Sequence, residues 1–228
     1  DPAVFRPGAD PLPRVTNATN RAMRFLFVGG TIRRKGVDVL LAAWRRAFRA
    51  NDDVALIIKD FCKQGAYRGQ TQDAAIREVA SDPNVAPIVY VDDDLPEQDL
   101  PRLYAACDVL VHPYRGEGFG LPVLEALASG KPAIVTKGGA CDDFCDADSA
   151  LFIAADATPV RPAEPLVREG RLLEPVVGQL AALLRHAARH PGRMREKGAA
   201  AAERIARDWT WDRSAAAVSA RLAALGGS

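Results

Sequence analysis

The sequence predicts an α/β fold, in which helices cover both faces of a parallel sheet and a helical tail follows. Between residues 24 and 153, short apolar runs alternate with segments of helical spacing, and this order is typical of βαβ units. The runs are continuously apolar, which indicates strands buried on both faces. Beyond about Glu174 the pattern is helical, with breaks at Pro191-Gly192 and near Trp209. We therefore expect a Rossmann-like parallel sheet with a helical C-terminal tail.

Apolar periodicity and the positions of Gly and Pro place the individual elements. Strands are expected at 24–29, 54–59, 87–91, 109–112, 133–136 and 150–153. Helices are expected at 35–50, from about 73 to 81, at 97–106 and from about 121 until Gly130. Residues up to about 22, residues 61–72 and residues 155–173 carry prolines or polar and charged side chains, and they are expected to be loops.

The composition excludes several classes of function. The 228 residues are 48% apolar, enough for a core, and carry 30 Lys and Arg against 29 Asp and Glu. A net charge of +1 does not suit nucleic-acid binding, which normally needs a basic stripe. No apolar run reaches the roughly 18 residues of a membrane span, and no signal-peptide pattern is recognised. Four cysteines do not make a disulfide scaffold, so we expect a cytoplasmic protein with reduced thiols.

Two pairs of metal-binding residue types leave a zinc site open as an alternative. Cys141 and Cys145 are four positions apart, as are His186 and His190, and zinc takes such ligands. The favoured interpretation is a loop with two thiols and two exposed histidines on an Arg-rich helix. We therefore predict no metal site.

The segment 117–125 carries the most chemical information. Glu117 and Glu125 bracket a Gly-Phe-Gly loop and the start of a helix, where Pro122 suits an early helical position. Gly118 and Gly120 permit close approach of a ligand to the backbone, and a helix N-terminus favours phosphate. Carboxylates accept hydrogen bonds from vicinal hydroxyls. Phosphate donors between two carboxylates therefore fit a sugar nucleotide.

This segment resembles the signature of the retaining GT-B glycosyltransferases of family 4. That signature is two Glu separated by seven residues, with Gly-Phe-Gly-Leu-Pro between them and Ala after the second Glu, and every position matches. The resemblance extends to residues 27–30, 34–36, 103–108 and 209–212. It implies that the chain is the C-terminal, donor-binding domain of a GT-B fold.

The resemblance also implies how the chain is organised. Residues 1–22 look like a linker-derived N-terminal segment, residues 23–208 like the Rossmann-like nucleotide-sugar-binding domain, and residues 209–228 like a C-terminal helix. The N-terminal acceptor-binding domain of the same enzyme is not recognised in the sequence. We therefore expect the isolated chain to be inactive.

The family likeness assigns roles to the two carboxylates. Glu117 corresponds to the carboxylate beside the transferred sugar and is the predicted catalytic residue. Glu125 corresponds to the carboxylate that binds the ribose. The remaining predicted donor contacts are backbone groups, at Gly118, Phe119, Gly120 and Leu121 for sugar or phosphate and at Val91 for the nucleobase.

The turn after the first strand is expected to bind the diphosphate. Lys35 matches a lysine with that role in the family, and a cation is unfavourable at a helix N-terminus unless an anion accompanies it. An arginine that is frequent in the family is replaced by Gly30. Arg34 or Arg33 is the expected substitute.

Two further side chains lie near the same predicted sheet edge. His112 follows a buried strand and is expected to be structural. Tyr67, in the long loop after the second strand, could reach the cleft or remain on the surface.

The resemblance implies a reaction and leaves alternatives. The complete enzyme is expected to transfer a hexosyl group, with retention, from a UDP- or GDP-linked sugar to a sugar or lipid-linked acceptor, without a cofactor. A non-catalytic nucleotide-sugar-binding scaffold module and a related sugar-nucleotide epimerase stay open. Basic residues near the C-terminus also leave peripheral contact with anionic lipid, at the inner face of the membrane, open beside a solvated helix face. These residues are Arg185, Arg189, Arg193, Arg195, Arg204 and Arg207.

Overall fold

A computed structural model describes residues 1–61, 65, 67–160 and 170–226. The central strands are β1 Met23–Gly29, β2 Val54–Asp60, β3 Ile88–Val91, β4 Val109–His112, β5 Ala133–Thr136 and β6 Ala150–Ile153. They form a six-stranded sheet in the order β3-β2-β1-β4-β5-β6, and every pairing is parallel. The predicted parallel sheet is confirmed, and the last three strands have the predicted bounds.

Helices cover both faces of this sheet, as predicted. Phe25 and Phe27 of β1 belong to one core cluster, and Leu26 and Val28 belong to the other. Successive strand residues point to opposite faces, so both faces of β1 are buried. The helices are α1 Pro13–Ala18, α2 Val37–Ala47, α3 Asp73–Ala80, α4 Asp99–Ala105, α5 Leu121–Ala128, α6 Val177–Arg189, α7 Pro191–Asp208 and α8 Trp211–Gly226. Helices α2, α3 and α6 contribute to the first cluster, α1, α4 and α5 contribute to the second, and α7 contributes to both.

The strand order reverses at β1, which pairs with β2 on one side and β4 on the other. Loops that leave the carboxyl ends of β1 and β4 therefore run to opposite sides of the sheet and leave a crevice between them, where ligands of open α/β sheets bind. The loop after β1 carries the predicted cations, the loop after β4 carries Glu117, and helix α5, which follows that loop, carries Glu125. The fold thus brings the two motifs to one edge.

Helix α2 begins later than predicted, and Lys35 precedes it. Residues Arg33–Lys35 form a 3₁₀ turn, and Gly36 follows with φ of 75°. A Cβ added at Gly36 would lie 1.8 Å from the carbonyl oxygen of Pro113. Only glycine therefore fits where this turn meets the chain after β4. The consequence is that Lys35 lies on a turn held against the β4 loop.

The prediction of a loop over residues 155–173 is wrong for its described part. Strands β7 Ala155–Pro159 and β8 Arg171–Pro175 form an antiparallel hairpin, whereas residues 161–169 lie outside the described residues. Prolines and charged residues within 155–173 suggested a loop, but a Pro at a strand end, such as Pro159, is compatible with a two-stranded edge. Leu172 of β8 is buried, and the Leu173 N–H donates to the Arg115 carbonyl at 2.8 Å. Tertiary contact therefore stabilises this hairpin.

Both terminal regions contain a helix, and the helix near the N-terminus was not predicted. Helix α1 lies within residues 1–22, which were expected to be a loop, because Leu12 and Val15 bury their side chains. The predicted C-terminal helix is present as α8, which buries none of its side chains. In the described part of the chain, no helix combines the length and the apolar character needed to cross a bilayer.

Candidate functional site

The candidate site is centred on the carboxylate of Glu117, just after β4. Lys35 Nζ donates to Glu117 Oε2, and His112 Nε2 lies 3.1 Å from the same oxygen. The Gly118 N–H donates to Oε1 at 3.0 Å. The Lys35 and Glu117 side chains are only 12% and 10% exposed. The predicted cation and the predicted catalytic carboxylate are therefore direct partners.

These contacts keep Glu117 ionised. Burial alone favours the neutral acid, but hydrogen bonds from His112 and Lys35 outweigh it and hold the pKa of Glu117 well below its usual range. Burial lowers the pKa of His112, against the opposing effect of Glu117. A neutral His112 that donates through Nε2 leaves Nδ1 as an acceptor, and Nδ1 has no hydrogen-bond partner among the described residues. His112, expected to be structural, thus also contacts the site carboxylate.

The second carboxylate has a different environment. Glu125 lies in the second turn of α5, and the Tyr104 hydroxyl donates to its Oε2 at 2.9 Å. Burial raises the pKa of Glu125, although the Tyr104 hydrogen bond opposes the rise. Glu117 therefore contacts the β1–α2 turn, whereas Glu125 contacts α4. The pKa of Glu117 is thus lowered by its hydrogen-bond donors, whereas the pKa of Glu125 is raised by burial.

The loop between the carboxylates is open at its first glycine and packed at its second. A Cβ at Gly118 would meet nothing within 4 Å, whereas one at Gly120 would lie 2.5 Å from Cys141 Sγ. Phe119 is 37% exposed, and its ring packs near Phe144 at 5.3 Å between centroids. Leu121 is 55% exposed at the start of α5. Backbone around Gly118 is therefore accessible to a ligand.

The cations of the β1–α2 turn have separate partners. Arg34 Nη1 donates to the Gly116 carbonyl at 2.7 Å, and Arg33 Nη2 lies 3.5 Å from Glu174 Oε2 on β8. These contacts hold the loop before Glu117 and the hairpin. Of the predicted cations, Lys35 alone contacts the site carboxylate among the described residues.

Gly30 and Tyr67 lie against each other. A Cβ added at Gly30 would lie 2.3 Å from Tyr67 Cδ2, so the Tyr67 ring covers the position where the family carries arginine. The sequence left open whether Tyr67 reaches the cleft or stays on the surface, and the structure places its ring against the β1–α2 turn.

Val91 ends β3 with a buried side chain, so only its backbone is left for a contact with the nucleobase.

The two residue pairs of the zinc alternative have different surroundings. Cys141 and Cys145 are buried in the core cluster beside α5. His186 and His190 stack on each other at 4.4 Å between ring centroids. Over the described ranges, no group of three or more His, Cys, Asp or Glu is placed to hold a metal ion.

Over the described ranges, three of the basic residues near the C-terminus are bound within the chain, and Arg185 donates to the Arg46 carbonyl at 3.2 Å. Arg204 donates to the Phe144 carbonyl at 2.7 Å, and Arg207 pairs with Asp208 at 2.8 Å. Arg204 therefore holds α7 to the loop after β5, whereas the Arg207 pair lies within α7 itself. Peripheral membrane contact stays a prediction.

Fold and site together define the C-terminal domain type of a GT-B glycosyltransferase. Residues 22–167 match the family described as "Glycosyl transferases group 1". The chain belongs to this family, as the signature at 117–125 predicts.

Individual relatives agree with this assignment. A D-inositol 3-phosphate glycosyltransferase from Corynebacterium kroppenstedtii is 32% identical over 149 residues, which are 61% of this chain and 32% of that protein. The C-terminal domain of a glycosyl transferase group 1 protein (LpcC) from Francisella tularensis superposes with a TM-score of 0.68 at 18% identity, covering 92% of this chain and 98% of that one. An Anabaena protein (Alr3699/HepE) solved with UDP and glucose gives 0.70 at 14% identity, covering 98% and 55%. The chain thus spans about a third of the Corynebacterium relative.

Proposed function

We propose that this chain binds the nucleotide-sugar donor of a retaining glycosyltransferase. The complete protein then transfers a hexosyl group to a sugar or lipid-linked acceptor. The observation that carries the proposal is the contact between Lys35 and an ionised Glu117 in the crevice between the β1 and β4 loops. A cation for the diphosphate and a carboxylate for the sugar are adjacent there.

Each carboxylate suits a distinct part of the donor. Glu117 is charged and held by fixed donors, so it orients sugar hydroxyls and stabilises positive charge that develops at the anomeric carbon. Glu125 accepts from the vicinal ribose hydroxyls. Lys35 provides the charge that binds the diphosphate, and the backbone of Gly118, Phe119, Gly120 and Leu121 supplies further N–H donors for sugar or phosphate.

UDP is the first nucleotide to test. The Anabaena protein was solved with UDP and glucose and also with UDP-glucose. Both are similar to this chain in fold alone, so a GDP-linked donor remains in the proposal. Base choice is expected to depend on the backbone at Val91 and its surroundings.

The proposal includes an acceptor-binding partner domain. Helix α8 exposes Trp211, Val218, Leu222 and Leu225, at 56% to 75% of their surfaces. Their spacing places them on one helix face, which suits cover by the N-terminal domain. We further propose that the isolated chain binds donor without turnover.

Free thiols at Cys107, Cys141 and Cys145 fit the predicted cytoplasmic location.

A second candidate is a non-catalytic nucleotide-sugar-binding module. The observation that favours it is the Tyr67 ring, which covers Gly30 where the family carries arginine. A site with fewer cations for the diphosphate binds donor more weakly. Turnover by the complete protein distinguishes the two candidates.

The test is calorimetric titration of this chain with UDP, GDP and ADP. We expect one diphosphate to bind, and Glu125→Ala to weaken it about tenfold or more, since a hydrogen bond to a charged group is lost. Glu78→Ala on α3 is the control, because that side chain is 76% exposed on another element. Absence of binding to all three nucleotides contradicts the proposal. With the complete protein, an anomeric configuration inverted from donor to product contradicts the retaining mechanism.

A further inference from the structure

One buried arginine joins three elements beside the candidate site. Arg115 is 3% exposed and lies two residues before Glu117. Its partners are Asp38 on α2, the Arg33 carbonyl in the 3₁₀ turn, and Glu174 on β8. We call these four residues the Arg115 cluster.

The guanidinium of Arg115 uses every donor it has. Nη1 and Nη2 donate to the two Asp38 oxygens at 2.7 and 2.8 Å. Nε and Nη2 donate to Glu174 at 2.9 and 2.7 Å, and Nη1 also donates to the Arg33 carbonyl at 2.7 Å. Five N–H groups in a rigid fork thus have fixed acceptors. Such a fork defines orientation more sharply than a point charge does.

The backbone of Arg115 strengthens the same connection. Its N–H donates to the Arg34 carbonyl at 2.8 Å, and its carbonyl accepts from the Leu173 N–H at 2.8 Å. Arg34 Nη1 returns a bond to the Gly116 carbonyl at 2.7 Å. The turn that ends in Lys35, the loop that leads to Glu117 and strand β8 are therefore bound to one another at adjacent residues.

We propose that Arg115 is the positioning residue of the donor site, and that β8 takes part through Glu174. Arg115 holds the 3₁₀ turn against the β4 loop, and this sets the placement of Lys35 relative to Glu117. The inference rests on the proposed donor-binding function for its effect on affinity. Its effect on the geometry of the unliganded site is independent of any ligand.

The test variant is Glu174→Gln, since Glu174 contacts Arg115 and Arg33 rather than Lys35 or Glu117. Its matched control is Asp82→Asn. Asp82 also pairs with an arginine, Arg45 of α2, at a distance of 3.1 Å, but this pair is remote from the candidate site. We expect the Kd for UDP to rise about tenfold in Glu174→Gln and to change less than about twofold in the control. Lys35→Ala is expected to weaken UDP binding less in the Glu174→Gln background than in the wild type, because coupled residues are not additive.

A measurement without ligand separates the inference from the proposed function. The Gly118 N–H donates to Glu117 Oε1, so its hydrogen-exchange rate reports how firmly that carboxylate is held. We expect exchange at Gly118 to become about tenfold faster in Glu174→Gln and to stay unchanged in Asp82→Asn. If the wild type binds no nucleotide, the proposed function fails, and Gly118 exchange alone decides on Arg115.

A purely structural role gives a different result. Glu174→Gln then lowers the melting temperature while leaving Gly118 exchange and the UDP Kd at their wild-type values, and that result overturns the inference. If Glu174→Gln does not fold, Asp38→Asn replaces it, because Asp38 holds the other side of the same guanidinium. The same expected and contrary outcomes apply to that variant.

Discussion

His112 Nε2 lies 3.1 Å from Oε2 of Glu117, the oxygen that also accepts from Lys35. One atom of the predicted catalytic carboxylate thus has two side-chain donors, which arrive from the end of β4 and from the β1–α2 turn. The His112 ring is fully buried and stacks on Phe27 at 5.7 Å between centroids. A residue that packs in the core therefore also fixes the charge state of the site.

Replacing His112 is expected to destabilise the chain. In His112→Leu, the buried Glu117 loses a donor, and an ionised group without full hydrogen bonding costs about 1–3 kcal/mol. Urea unfolding at pH 7 measures the loss. His190→Leu makes the same chemical change at an exposed position and is expected to stay within about 0.5 kcal/mol of the wild type. Equal losses in the two variants would contradict a role for the Glu117 contact.

Glu117 is expected to make stability depend on pH. Its folded pKa lies below the unfolded value of about 4.3, so the folded state binds fewer protons. The stabilisation is therefore complete above that pH and is lost as the pH falls through the folded pKa. Urea unfolding of wild type and Glu117→Gln is expected to show a difference at pH 7 that shrinks below about pH 4. A difference that grows on acidification has the opposite sign and contradicts the contact.

Glu125 is expected to show a conflict between stability and binding. Burial raises its pKa, so the folded state holds its proton more tightly, and stability falls as the pH rises through the interval between the unfolded and folded values. Glu125→Gln keeps an acceptor for Tyr104 and removes the buried charge. We expect this variant to unfold at higher urea at pH 7 while binding UDP more weakly. A variant that loses both stability and affinity contradicts the prediction.

Gly30 and Tyr67 are expected to be energetically coupled. Gly30→Ala places a methyl group on the Tyr67 ring and forces that ring to move. In the Tyr67→Ala background the clash is absent. A double-mutant cycle on the free energy of unfolding is expected to give an interaction of about 0.5–3 kcal/mol. The control is Gly118→Ala, because a Cβ at that position meets nothing within 4 Å. Gly69 is not used as a control, because its φ of 76° would strain an alanine.

Local sequence was sufficient to predict the central sheet and the family. The apolar runs that became β4, β5 and β6 end at His112, Thr136 and Ile153 as predicted, because a strand buried on both faces has a continuous apolar pattern that needs no knowledge of its neighbours. The signature at 117–125 likewise predicted the family. These features depend on residues that are close in the chain.

The remaining features depend on residues far apart in the chain. Lys35 and Glu117 are separated by 82 positions, and Arg115 and Glu174 by 59, so no local pattern indicates either pair. The β7–β8 hairpin has weak strand signals and is held by contacts with Arg115, and the Tyr67 ring covers Gly30 from a loop after β2. Long-range pairing and burial set these partners, because the free energy of such contacts exists only once the sheet has brought the loops together.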